Sequence, residues 1–100
     1  MKINKKDLIE LLSNNQDQLP LRDIKLTVDT IINTIIKTLT NGERIEIRGF
    51  GSFSLHYRKP RVGRNPKTGA SVAINESYVP HFKPGKNLKK QVNEGREKFI

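Results

Sequence analysis

A single proline set among cations marks the segment best suited to chemistry on a polyanion. Gly63 to Gly69 reads GRNPKTG, and Asn-Pro between two glycines is a turn signal. Pro66 is rigid, apolar and without an N–H group, and Arg64 and Lys67 stand on either side of it. An apolar wedge between cations suits insertion between stacked bases, because the cations hold the phosphates. An ordinary exposed hairpin tip accounts for the same turn residues equally well.

Cations continue on both sides of this tip. Arg58-Lys59-Pro60-Arg61 precedes it, and successive strand side chains point to opposite faces, so both faces of the segment are basic. The same charges and proline would also protect a free strand edge. Lys86 lies near a predicted helix start, where backbone N–H groups bind phosphate. The candidate DNA-binding residues are Arg44, Arg48, Arg58, Lys59, Arg61, Arg64, Asn65, Pro66, Lys67, Lys83 and Lys86.

Net charge points to the same half of the chain. The 100 residues carry 19 Lys and Arg against 10 Asp and Glu, which gives a net charge of +9 and a pI near 10.1. Between Ile47 and Asn93 the one acid is Glu76. A field of one sign predicts a polyanionic partner, with nucleic acid first and an anionic membrane second.

Several other functions lack their residues. The chain has no cysteine, and its two histidines make a poor metal site. It contains no glycine-rich phosphate loop and no nucleophile elbow, so we expect no enzyme activity, no cofactor and no metal. No apolar run approaches the ~18–20 residues of a membrane span. The first residues lack the apolar core of a secretory signal, so a cytoplasmic protein is expected.

Apolar spacing predicts helices in the first part of the chain. A helix is expected over residues 4–15, capped by Asn4, with one broad apolar face. A longer helix over 21–40 begins after Pro20 and ends at Asn41-Gly42. Its apolar residues span an arc of about 140°, which predicts burial on two sides.

A period of two predicts strands after residue 42. Residues 43–48 and 52–58 alternate and form a hairpin around Gly49-Phe50-Gly51. Apolar residues then nearly vanish, which predicts a projecting arm, before strand character returns at 72–74 and 78–82. Residues 86–98 predict a basic helix with Leu88 and Val92 directed inward.

These segments resemble the HU/integration host factor family of bacterial DNA-bending proteins. The likeness covers about residues 4–93 and is most specific in the Gly-Phe-Gly and Gly-Arg-Asn-Pro segments. The segments RIEIR (44–48) and SLHY (54–57) favour the beta-subunit branch of integration host factor over HU. The chain departs from that branch at Lys59, at Ala70-Ser71 and at residues 94–100, which run beyond the usual end. These departures favour tighter non-specific binding to DNA.

The resemblance implies an α+β fold in one domain, residues 1–100. That fold is an intertwined dimer with a helical base (1–42), a three-stranded antiparallel β-saddle (43–83) that carries an extended β-arm (58–73), and a C-terminal helix (84–100). The implied partners are double-stranded DNA and an integration host factor alpha subunit, with a homodimer as the other possibility.

The resemblance also implies how the residues act. Pro66 would intercalate and sharply bend the DNA, and Arg64 and Lys67 would follow the minor groove. Arg48 would contribute to sequence preference there, while Lys83 and Lys86 would hold phosphates. The implied roles are nucleoid organisation, recombination, replication and transcription regulation.

Three alternatives are distinguishable by sequence features. An HU-like homodimer would bind DNA with little sequence preference, against which Arg48 argues. An RNA-binding protein would expose aromatic side chains on a sheet face, whereas Phe50, Phe53 and Tyr57 are better used as core. A membrane-surface protein would need a strong apolar moment with aromatic anchors, which the basic segments lack.

Overall fold

The computed structural model describes residues 2–99. Its elements are α1 (Lys5–Asn14), α2 (Leu21–Thr40), β1 (Ile45–Ile47), β2 (Gly51–Arg58), β3 (Arg61–Arg64), β4 (Ser71–Ile74), β5 (Ser77–Pro84), α3 (Lys86–Glu94) and a 3₁₀ turn (Arg96–Phe99). The chain divides into two compact units, residues 1–37 and residues 38–100. No helix within residues 2–99 has the length and apolar character needed to cross a membrane.

Helix α1 begins one residue after the predicted cap. The Asn4 side-chain oxygen accepts a hydrogen bond from the Asp7 backbone N–H at 2.9 Å, and the Asp7 carboxylate accepts one from the Asn4 N–H at 3.2 Å. This reciprocal capping satisfies two N–H groups that need a partner at the start of the helix. The prediction that Asn4 is the cap is therefore confirmed.

The first unit has a small core. Ile9 of α1 and Ile24 and Val28 of α2 form its buried cluster, and the Lys5 ammonium pairs with the Asp29 carboxylate between the two helices. Ile35 is half-buried, and ten other large apolar side chains of this unit are exposed, namely Ile3, Leu8, Leu11, Leu12, Leu19, Leu21, Leu26, Ile31, Ile32 and Ile36. The predicted burial of α2 on two sides is thus not completed within one chain.

Helix α2 ends at the predicted Asn41-Gly42. Gly42 has a φ of 80°, a left-handed conformation that favours glycine. Its N–H donates to the Leu39 carbonyl at 3.0 Å, and the Glu43 N–H donates to the Thr38 carbonyl at 3.1 Å. These bonds satisfy carbonyls of the last turn.

The second unit contains the predicted three-stranded antiparallel sheet, in the order β1-β2-β5. The register pairs Phe53 with Phe82 and Ser54 with His81. Because side chains alternate along each strand, one face carries the aromatic residues and the other carries polar and charged ones. The α+β fold predicted from the sequence is confirmed.

Aromatic contacts hold the apolar face together. The ring centroid of Phe82 lies 5.1 Å from that of Phe50 and 4.9 Å from that of Phe53. Gly51 is buried beside them, and a Cβ atom there would come within 2.7 Å of the Phe82 ring and 2.6 Å of the Lys83 carbonyl oxygen. A side chain at position 51 is therefore excluded by close packing.

Several details differ from the sequence predictions. Strand β1 covers 45–47 instead of 43–48, because the chain turns at Arg48, Gly49 and Phe50. Gly49 has a φ of 86°, and the Phe50 N–H closes the turn by donating a hydrogen bond to the Ile47 carbonyl at 3.0 Å. Tyr57, expected in the core, is 49% exposed, since it lies near the end of β2 beyond the phenylalanine cluster. Phe50, also expected in the core, is 43% exposed because it lies in the turn before β2.

The C-terminal segment is also shorter as an α-helix than the predicted 84–100. Helix α3 ends at Glu94, and the Gly95 N–H caps it by donating to the Gln91 and Val92 carbonyls. Glycine has low helix propensity, which favours an end at this position. A 3₁₀ turn follows, and Val92, expected to point inward, is 51% exposed.

Candidate nucleic-acid interface

The second unit carries a two-stranded hairpin, which we call the arm (residues 61–74). Strands β3 and β4 pair with each other and with no other described strand. The predicted arm began at residue 58, but Arg58 pairs with Ser77 inside the three-stranded sheet. The apolar residues of the arm are exposed, Val62 by 75% and Val72 by 44%. The arm therefore has no core of its own.

A network of short hydrogen bonds shapes the arm tip, residues 64–70. The Asn65 backbone N–H donates to the Ala70 carbonyl at 2.9 Å, and the Gly69 N–H donates to the Asn65 carbonyl at 2.7 Å. The Asn65 side-chain oxygen also accepts from the Lys67 N–H at 2.9 Å. Gly69 has a φ of 72°, which closes the loop.

This geometry sets Pro66 in an exposed turn between Asn65 and Lys67. Asparagine side chains commonly stabilise turns by bonding to the backbone two residues on. Asn65, a candidate contact, thus has a shaping role in the tip through its side-chain oxygen. Arg64 and Lys67 are both exposed, one at the end of β3 and one in the turn.

The root of the arm gathers a second group of candidate cations. A cavity at this point is lined in part by Arg58, Lys59 and Arg61, together with Asn75 and Ser77. The Tyr57 hydroxyl donates to the Glu76 carboxylate at 2.8 Å. That hydrogen bond raises the pKa of the Tyr57 hydroxyl above its usual value, with smaller contributions from desolvation and from Tyr78.

A third group lies where β1, β2, β5 and α3 meet, in a shallow depression of about 510 Å³ that we call the basin. Its lining contains five cations and one acid, namely Arg44, Arg48, Lys83, Lys86, Lys89 and Glu46. The Arg44 guanidinium lies 3.9 Å from the Glu46 carboxylate, and both side chains are exposed, so solvent screens their attraction. The basin is therefore a positive surface.

Helix α3 contributes to the basin through its first turn. Gly85 is the N-cap and makes no side-chain cap, and its N–H donates to the Phe50 carbonyl at 2.8 Å. The first N–H groups of a helix have no intrahelical partner, so they and Lys86 offer a site for an anion. Lys89 stands one turn along from Lys86 and was not in the predicted set. The spacing of three residues on a helix was the signal for it.

The eleven candidate residues thus fall into three groups in the second unit instead of one site. Ser52 and Arg58 lie at opposite ends of β2, and six residues of strand span roughly 20 Å. The groups therefore follow an extended surface, as a polymer ligand requires. Within residues 2–99, no cluster of three or more His, Asp or Glu side chains is arranged to hold a metal ion.

Comparison with known proteins finds relatives over nearly the whole chain. The family described as bacterial DNA-binding protein matches residues 3–93. Integration host factor subunit beta of Alkalilimnicola ehrlichii is 56% identical over 98 residues, which are 98% of each chain. The subunit beta of Hahella chejuensis is 57% identical over 91% of this chain and 93% of its own.

Solved structures agree with the sequence relatives. A cocrystal structure of Anabaena HU with DNA has a TM-score of 0.81 and 31% identity, covering 89% of this chain and 96% of that one. HU from Thermotoga maritima has a TM-score of 0.61 and 36% identity, covering 89% of this chain and 97% of that one. The resemblance stated from the sequence is confirmed, including the beta-subunit branch. The chain belongs to the bacterial DNA-binding protein family, the family of HU and integration host factor.

Proposed function

We propose that this chain is one subunit of a dimeric architectural protein that binds the DNA minor groove and bends the duplex. The observation that carries this proposal is the arm, whose strands pair with no other described strand and whose turn exposes Pro66 between Arg64 and Lys67. The Anabaena HU relative, which was crystallised with DNA, supports the same assignment. Such a protein needs no catalytic step, so we propose that it is not an enzyme.

Insertion of Pro66 is the proposed source of the bend. Arg64 and Lys67 would hold phosphates on either side while the ring enters a base step and unstacks it. Unstacking costs on the order of a few kcal/mol per step, and the bent duplex offsets this by reaching more protein surface. The hydrogen bond from Lys67 N–H to the Asn65 side chain keeps the tip in one shape before DNA arrives, which lowers the entropy lost on binding.

The arm root and the basin would hold the DNA that the bend brings back onto the body. Arg58, Lys59 and Arg61 would contact phosphates near the arm. Lys83, Lys86 and the first turn of α3 would do so at the other end of β2, with Arg44 beside them. Because these contacts are to phosphate, they give affinity without sequence information. With DNA as its ligand, the protein would act in the nucleoid.

We propose that the exposed apolar side chains of the first unit are covered by a second subunit. Leu8, Leu11 and Leu12 of α1 and Ile31 of α2 are between 43% and 56% exposed, and burial of apolar surface drives association. The relatives are named as subunits, so an integration host factor alpha subunit is the proposed partner. On this account both units form one domain, with residues 1–42 as the dimer base, 43–83 as the saddle and arm, and 84–100 as the C-terminal segment.

An HU-like homodimer without strong sequence preference is the second candidate, and likeness to two HU structures favours it. Arg48 distinguishes the sequence-preferring protein from the HU-like homodimer. It lies in the turn after β1, from which an arginine side chain would reach a groove of the DNA. Arg48→Ala should narrow the affinity gap between a consensus site and random DNA if sequence is read there. An unchanged ratio assigns sequence reading to other residues, or to none. Mass measurement of the chain alone and with an alpha subunit decides the partner.

Pro66→Ala tests the bending mechanism directly. We expect a smaller bend, measured by energy transfer between dyes at the two duplex ends, with a lesser loss of affinity because the flanking cations remain. Ser71→Ala, on strand β4 just beyond the tip, is the control within the arm and should bend as the unmodified chain does. Full bending by Pro66→Ala would remove the wedge from the mechanism.

A further inference from the structure

The two histidines of this chain stack on each other in the sheet. The ring centroids of His56 and His81 are 4.0 Å apart, with 18° between the ring planes. His56 is on β2 and His81 on β5, and the register pairs His56 with Val79 and Ser54 with His81. The rings are therefore diagonal neighbours on one face. Both residues are exposed.

That face is the charged one. Alternation along β2 places His56 on the same side as Ser54 and Arg58, and alternation along β5 places His81 on the same side as Lys83. The phenylalanine cluster lies on the opposite face. The histidine pair thus stands between the arm root and the basin, on the path that joins the two groups of cations.

Charged groups of the neighbouring elements share this face or line the basin at its end. On β1, Glu46 pairs with Ser52 on the same face, and Arg44 lies next to it. Arg58 and Lys83 are on the strands of the histidines themselves, and α3 brings further cations to the basin end, Lys86 and Lys89. A phosphate on the same face would favour the positive form of an imidazole.

We propose that the His56–His81 pair is a phosphate contact that takes up a proton when DNA binds. Histidine is the side chain that ordinarily changes charge between about pH 5 and 8, so it can take up a proton on binding an anion in this range. Two positive rings stacked this closely would repel each other, so we expect binding to add about one proton per chain. This inference rests on the proposed DNA-binding function and adds a residue pair and a regulating condition to it.

Linkage fixes the sign of the effect. Because the DNA-bound state holds more protons, affinity should rise as pH falls, by up to about tenfold per pH unit for each linked proton. This gain in DNA affinity should be fully present at acidic pH. It should be lost as the pH rises through the range in which the DNA-bound pair gives up its proton. Arginine and lysine stay charged between about pH 5 and 8, so their phosphate contacts give DNA affinity that does not depend on pH in this range.

Calorimetry of the full chain, as the dimer that binds, tests the proposal with a random-sequence duplex. Titration at about pH 6.5 in two buffers of different protonation enthalpy counts the protons taken up. We expect uptake by the unmodified chain, and neither uptake nor pH-dependent affinity for the double variant His56→Gln with His81→Gln. Tyr78→Phe, which alters the opposite face, should retain the uptake of the unmodified chain.

Two results would overturn the inference: DNA binding without proton uptake, or unchanged uptake by the double variant. Either would leave the proposed DNA binding intact, whereas failure to bind the duplex at any pH would remove both proposals. If the double variant does not fold, the imidazole resonances of the unmodified chain decide. Their titration in NMR spectra should move to higher pH when DNA is added, and an unmoved titration refutes the contact.

Discussion

The three-stranded sheet and the arm are both antiparallel and both basic, yet different interactions hold them. The sheet has Phe82 in contact with Phe50 and Phe53 on one face. The arm leaves Val62 75% and Val72 44% exposed, and its order comes from backbone pairing and from the hydrogen bonds of its turn. A two-stranded hairpin of this kind is marginal in water.

This difference separates folding from ligand binding along one chain. The sheet buries apolar area and therefore contributes to stability without a ligand. The arm contributes little to stability, so its residues are free to be selected for contact with a ligand instead. Segments that move on binding are drawn from the least stable parts of a protein. The arm has that character, and its proposed ligand would supply the contacts that the fold does not.

The largest expected effect is on stability. Phe82→Ala removes the ring that contacts both other phenylalanines and should lower the free energy of unfolding by about 3 kcal/mol. Val72→Ala, the matched deletion in the arm, should change it by less than about 0.5 kcal/mol. Urea unfolding at one fixed protein concentration measures both, since the stability of a dimer depends on concentration. Equal losses would show that the arm packs against something within the folded protein.

DNA affinity, unlike stability, should depend on the arm and the basin to a similar extent. Each proposed phosphate contact contributes equally to the salt dependence, whichever region it lies in. If about eight phosphates are neutralised per dimer, log K should fall with log[salt] at a slope of about −7. Lys83→Ala with Lys86→Ala removes two contacts per chain from the basin, and Arg61→Ala with Arg64→Ala removes two from the arm. Each pair should make the slope shallower by about 0.9 per lost contact.

A charge-matched control makes this comparison sharper. Lys37→Ala with Lys90→Ala removes the same charge from residues that neither line the basin nor belong to the arm, so the slope should stay close to that of the unmodified chain. If only the arm variant changes the slope, the basin is not a phosphate site. A slope near zero for the unmodified chain would contradict phosphate-driven binding altogether.

The sequence predicted those features that depend on local signals. The bounds of α2, the Asn4 cap and the glycine at position 42 follow from residue type and spacing over a few positions, and each is present. The arm was predicted from the near absence of apolar residues after Tyr57. Its strands were found because turn residues and alternation are also local.

Features that depend on contacts between distant residues could not be predicted in this way. Alternation continued through Arg48, but the left-handed Gly49 turns the chain there, so the strand is short. The exposure of Tyr57 depends on how far the aromatic cluster extends along β2, and the stacking of His56 on His81 depends on the register between β2 and β5. A single sequence does not specify that register.

The smallest expected effect concerns the junction between sheet and arm. Tyr57→Phe deletes the hydrogen bond to Glu76, a residue of the segment that leads from β4 back into β5. Because Tyr57 is solvent-exposed, we expect little change in stability. We expect faster amide hydrogen exchange at residues 75 and 76, which this bond helps to hold. Tyr78→Phe is the matched control, because the structure gives its hydroxyl no such bond to a carboxylate, and exchange should stay unchanged.

The pH dependence of this bond gives a second measurement with a defined sign. Hydrogen bonding to Glu76 raises the pKa of Tyr57, so the folded chain favours the protonated phenol. The small stabilisation that this hydrogen bond gives the folded chain is therefore fully present below the usual tyrosine pKa of 10.0. It is lost as the pH rises through the raised pKa of Tyr57 in the folded chain. Titration by ultraviolet absorbance should show a tyrosine that ionises above pH 10.0, and Glu76→Gln should bring this ionisation closer to 10.0. If the ionisation of Tyr57 is the same without the carboxylate, the hydrogen bond to Glu76 does not hold the junction between the sheet and the arm.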